Sequence, residues 1–132
     1  MFKISGIHHV ALKACGKETF DKTLDFYCNI LNLPVARSWG EGEESAVMIA
    51  CGDSLLEIFA NGDENLTEGA LRHIAFDIDN VDECVALIRE AGYEITMEPT
   101  DICIPSQPAY PARIAFCIGP IGEIVELFCV KK

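Results

Sequence analysis

Of the three histidines in the chain, two are neighbours in the stretch IHHVALKA, Ile7 to Ala14. The run has the apolar, β-branched character of a strand, in which successive side chains face opposite ways. His8 then shares a face with Val10, Leu12 and Ala14, a set suited to packing under helices. His9 shares the other face with Ala11 and Lys13, small and polar enough to line a hollow. The third histidine, His73, stands in ALRHIAFDI, Ala70 to Ile78, with Ala75 and Asp77 on its side. Two glutamates interrupt further apolar strands. Glu57 in SLLEIFA lies with Leu55 and Phe59, and Glu126 in EIVELFCV lies with Ile124 and Phe128.

Two histidines and two glutamates gathered in one partly apolar hollow would be costly without a partner. The carboxylates repel, and leaving such groups desolvated and unpaired costs several kcal/mol, on the order of what unfolds a marginal domain. One divalent ion removes the problem, because two glutamates neutralise it and two imidazoles complete the set. His9, Glu57, His73 and Glu126 are therefore the expected metal ligands. A mixed nitrogen and oxygen shell suits nickel or zinc first, and cobalt or manganese as alternatives, with positions left for water or substrate.

The elements that must position these residues occur twice. Aligning His9 on His73 is a shift of 64 positions, which also carries Val10 onto Ile74 and Leu12 onto Phe76. Helical spacing follows each strand. In the first half Phe20, Leu24, Tyr27 and Leu31 recur within KETFDKTLDFYCNILNL. In the second, Val81, Val85 and Ile88 do so within NVDECVALIREAG, with Gly92 as a stop signal. PVARSW, SAVMIAC and SLLEIFA come next in the first half, the last two joined by a turn at Gly52–Asp53. YEITME, ARIAFCI and EIVELFCV come next in the second half. The last strands align LLEIF on IVELF, which puts Glu57 on Glu126. Each half reads β-α-β-β-β, so the expected fold class is α+β: two pseudo-symmetric βαβββ modules, residues 1–62 and 69–132, joined by a polar linker at 63–68 in a single domain, with their sheets forming a half-barrel around the metal. The second half also holds PTDICIPSQPAYPAR, with four of the six prolines. That density suits an edge strand or a lid, not a central strand.

Composition narrows the partners. The chain of 132 residues is half hydrophobic and carries a net charge of −11. Such a surface repels phosphate backbones and anionic lipid, so neither nucleic acid nor a membrane is an expected partner. No apolar run is long enough to span a bilayer, and the N-terminus lacks a signal-peptide pattern. The seven cysteines are odd in number and form no CxxC. They read as reduced thiols of a cytoplasmic protein.

HHVAL followed by LDFYCNILNL, then LLEIF, RHIAFDIDNVDECVALIREAGYEI and GPIGEIVELF, resemble the vicinal-oxygen-chelate superfamily across nearly the whole chain. This superfamily includes glyoxalase I, methylmalonyl-CoA epimerase, extradiol dioxygenases and the fosfomycin- and bleomycin-resistance proteins. The resemblance implies the same metal set, and the four-ligand pattern is most similar to glyoxalase I. It implies a lyase or isomerase that converts a 2-oxoaldehyde–thiol hemithioacetal to a 2-hydroxyacyl thioester by proton transfer through an enediolate. Glu126, flanked by Ile124 and Phe128, is the first candidate for the base, with Glu57 second. Lys13 and Asn61 match substrate-binding positions of the family, Lys13 with lysine in place of arginine. Arg113 and Arg37 are candidate anion partners. The implied partner molecules are a small thiol adduct or acyl thioester and a second copy of the chain in a homodimer. The alternatives are an epimerase acting α to a thioester, which in the family usually has glutamine where Glu57 stands, and a non-catalytic metal- or drug-binding protein.

Overall fold

The computed structural model describes residues 1–64 and 69–132, and most of the expected linker, 65–68, lies outside the described residues. The chain divides into two compact units, Met1–Asn65 and Leu66–Lys132.

In the first unit β1 (His9–Lys13) leads into α1 (Gly16–Leu24), and then come β2 (Val35–Trp39), β3 (Ala46–Cys51) and β4 (Ser54–Phe59). The sheet order is β1-β4-β3-β2. β1 runs parallel to β4, and the other pairings are antiparallel. The β3–β4 turn is the expected one. Cys51 pairs with Ser54, and Gly52 takes the positive φ of 56° that a tight reversal needs. Val47 opposite Ile58 and Ile49 opposite Leu56 make the apolar face, and all four are buried.

The helix over that face departs from the expected spacing. After Leu24 it continues as a π-helical segment, Asp25–Ile30. The wider turn shifts the phase of the inward face. Phe20, Thr23, Phe26 and Tyr27 are the buried residues, while Leu24 and Leu31 are only half-buried. The buried Thr23 hydroxyl is satisfied by donating to the Thr19 carbonyl at 2.7 Å.

The second unit repeats the plan with β5 (Ile74–Asp77), α2 (Val81–Glu90), β6 (Ile95–Ile104), β7 (Tyr110–Ile118) and β8 (Ile124–Val130), in sheet order β5-β8-β7-β6. Val81, Cys84, Val85 and Ile88 of α2 are buried, as are Ala115, Cys117, Val125 and Leu127 of the sheet. Asn80 caps α2 by accepting from the Glu83 amide at 3.1 Å, while its own amide donates to the Glu83 carboxylate at 3.2 Å. The proline-rich stretch ends β6, an edge strand whose register shifts between Met97 and Thr100, around Pro99. Pro111 stands near the start of β7, where it pairs with Cys103.

The fold is thus α+β, with βαβββ twice over. Each unit has one sheet face turned to its helix and one face turned away. No helix of the described residues is long and apolar enough to cross a membrane.

Candidate metal centre

Residues directly opposite each other on adjacent strands project to the same face. In the first unit Ala11 of β1, Glu57 of β4, Met48 of β3 and Arg37 of β2 form one such row. The next row is Lys13, Phe59, Ala46 and Trp39. Both lie on the face away from the helix. His9 pairs with Leu55 and so belongs to that face too. Its Nε2 is 3.5 Å from Glu57 Oε1.

The second unit carries a matching row: Ala75, Glu126, Phe116 and Met97. His73 immediately precedes β5, and its Nε2 is 3.1 Å from Glu126 Oε1. The His73 ring also meets Phe116 edge-on, with centroids 5.6 Å apart. The carboxylates are the more sheltered partners in both pairs, with side chains 13% exposed for Glu57 and 11% for Glu126.

Each pair is an imidazole nitrogen beside a carboxylate oxygen. Neighbouring ligands on bonds of about 2.0–2.2 Å around one small cation lie roughly 3 Å apart. The two pairs therefore have the spacing and the donor chemistry of one edge of a coordination shell. Among the described residues no three or more His, Cys, Asp and Glu side chains come together as a group that could hold a metal. His9 meets Glu57 and His73 meets Glu126, so each unit holds one His–Glu pair.

His8 is exposed, and its Nδ1 lies 2.9 Å from Nδ1 of His9. Strand alternation alone turns it to the opposite face and hides this contact. Alternation within one strand likewise does not mark Phe116 and Met48 as the cross-strand neighbours of the two glutamates. Met48 at least was within reach, because a turn at Gly52–Asp53 fixes the pairing of β3 with β4 and sets Met48 opposite Glu57.

Asn61 follows β4 and forms an isolated antiparallel bridge with Cys15, which follows β1. Lys13 stands opposite Phe59 on the face that carries His9 and Glu57. Arg113 does not join them. It pairs with Cys129, three residues from Glu126 on β8 and thus on the helix side. There Nε and Nη2 donate to both Asp82 carboxylate oxygens at 2.7 and 2.8 Å, and Nη1 donates to Asp101 at 3.0 Å. These bonds hold the Asp82 carboxyl below its ordinary range. Asp101 is lowered by its Lys131 and Arg113 partners. Arg113, expected as an anion partner for substrate, has its guanidinium engaged by the Asp82 carboxylate that α2 brings across the helix face and by Asp101.

No curated protein matches the chain. Solved structures do. A glyoxalase family protein from Enterococcus faecalis is 25% identical with a TM-score of 0.69, over 94% of this chain and 97% of that one. A Glu-to-Gln variant of the genomically encoded fosfomycin resistance protein FosX from Listeria monocytogenes, complexed with Mn(II) and 1S,2S-dihydroxypropylphosphonic acid, is 25% identical with a TM-score of 0.71, over 95% and 90%. TnmS3, an antibiotic binding protein from Streptomyces sp. CB03234, shares the fold at 19% identity and a TM-score of 0.71, over 99% and 100%. The family model described as Glyoxalase/Bleomycin resistance protein/Dioxygenase superfamily matches residues 6–107. With two βαβββ modules, each bearing a His–Glu pair on the face away from its helix, the chain belongs to that superfamily.

Proposed function

We propose that the protein is a metal-dependent lyase or isomerase of the glyoxalase I type, acting on the hemithioacetal of a 2-oxoaldehyde and a thiol. The observation that carries this reading is the repeated His–Glu pair, His9 with Glu57 and His73 with Glu126, at equivalent places in the two units. In this reading the four side chains hold one divalent ion, nickel or zinc in first place. When bound, the ion polarises adjacent substrate oxygens and stabilises the negative charge that develops as the neighbouring carbon loses its proton. Glu126 accepts that proton and returns it to the adjacent carbon. His73 orients the Glu126 carboxylate from 3.1 Å. Lys13 and Asn61 position the rest of the substrate.

A second reading draws on the likeness to FosX, a resistance protein seen with Mn(II) and a phosphonate, and on the likeness to the antibiotic-binding TnmS3. In it the same donors hold a metal, and the ligand is an antibiotic, modified or only sequestered. Metal analysis of the purified protein comes first. Loaded protein is then offered methylglyoxal with a panel of thiols, and fosfomycin with water or thiols. Thioester formation supports the lyase. Fosfomycin consumption without thioester formation supports the second reading. No metal uptake at all overturns both.

A further inference from the structure

The two glutamate rows are near copies, and they differ most at one end. Ala11 and Glu57 match Ala75 and Glu126, and Met48 matches Phe116, but the last member is Arg37 in the first unit and Met97 in the second. Arg37 lies two strands from Glu57, on the order of 10 Å across the sheet. It is exposed. Its Nη1 donates to the Met48 sulfur at 3.1 Å, a weak acceptor that leaves most of the guanidinium fork unused.

Acidic residues outnumber basic ones, 21 to 10, so a basic side chain here has carboxylates to choose from. Most basic groups on the helices and on the second sheet have found one: Lys17 with Asp21, Lys22 with Glu18, Arg89 with Glu98, Arg113 with Asp82, and Lys131 with Asp101. Arg37 and Lys13 have no carboxylate partner among the described residues, and they are the bases that share a face with His9 and Glu57. With a net charge of −11 the general field repels anions, so an anionic ligand needs such an uncompensated local charge.

We infer that Arg37 is a specificity residue which binds an anionic group of the substrate, a carboxylate or a phosphonate, at a point remote from the reacting carbon. The planar fork takes two oxygens of such a group at once. This rests on the proposed site in unit one for its setting, but anion binding itself needs no metal.

The test uses methylphosphonate and acetate as probes, titrated into the purified full-length protein with and without Mn(II), and followed by calorimetry and, for methylphosphonate, by phosphorus NMR. Arg37→Met should weaken the preferred probe at least tenfold. Arg37→Lys should fall between, because it keeps the charge and loses the fork. Arg89→Met, which removes a base already paired with Glu98, should leave binding unchanged. Whichever probe binds in an Arg37-dependent way supports the inference and names the anion class. Wild-type protein that binds neither probe overturns it, as does Arg37→Met or Arg37→Lys protein that melts like wild type and binds equally well. Failure of metal uptake, measured in the same samples, would defeat the proposed function and leave the anion result standing.

Discussion

The Nδ1 atoms of His8 and His9 lie 2.9 Å apart, with the rings edge-on and their centroids separated by 5.2 Å. One Nδ1 must donate and the other accept. If His9 is the donor, its Nε2, which faces Glu57, keeps the lone pair that a metal requires. His8→Ala should then lower metal affinity by about tenfold, as loss of an orienting partner does, and His9→Gln should lower it further. Equilibrium dialysis of the two variants checks the order. Equal affinity in His8→Ala and wild type would leave the contact without a role.

Glu126→Gln keeps an oxygen donor beside His73 and removes the proton acceptor. Metal uptake should persist, while turnover falls about a hundredfold or more, the scale of general-base loss. Glu57→Gln should cost less. Inductively coupled plasma analysis and steady-state rates on the same preparations test this. A larger loss for Glu57 would exchange the roles of the two carboxylates.

Arg113→Met should leave the KM for substrate unchanged, since its guanidinium is engaged on the helix face by Asp82 and Asp101. The Asp82 carboxyl, held low chiefly by the bond from Arg113, should titrate closer to the ordinary range. A depressed folded-state pKa contributes stability above the ordinary carboxylate range and loses it as pH falls through the depressed value. The variant should therefore lose less stability than wild type as pH falls through that acid window. Carboxyl carbon NMR titration and acid unfolding provide the measurements.

Burial pushes the Cys117 thiol up to about 12 and the Cys84 thiol up to about 11, from an ordinary 9.0. Unfolded thiols ionise near 9, whereas these two keep their protons in the folded second unit. Their contribution is fully present below that pH and is lost as pH rises towards 11 and 12. Denaturant unfolding of wild type should weaken steadily above pH 9. The Cys84→Ala, Cys117→Ala double variant, less stable at neutral pH because it leaves small cavities, should show a flatter alkaline decline. A parallel decline in both proteins would assign the loss to other groups.

Strand alternation is a local property of the backbone, so the amino-acid order alone was enough to separate His9 from Val10 and Glu57 from Leu56, and to set the repeat that relates Glu57 to Glu126. The βαβββ order was legible for the same reason, because periods of two and of nearly four show in short windows. Tertiary structure decided what depends on which surface covers which. Helix α2 lies over β7 and captures Arg113, a partnership between residues 31 positions apart that no local pattern marks. A π-helical segment brings Phe26 into the core beside the expected Tyr27 and leaves Leu31 half-buried, because one widened turn shifts the phase of the residues beyond it. The position of Arg37 in the same row as Glu57 required the pairing of β2 with β3, across a register shift after Val35. Alternation tells which side a residue takes within its own strand. Register and helix docking, which are set by packing across the chain, tell what it meets there.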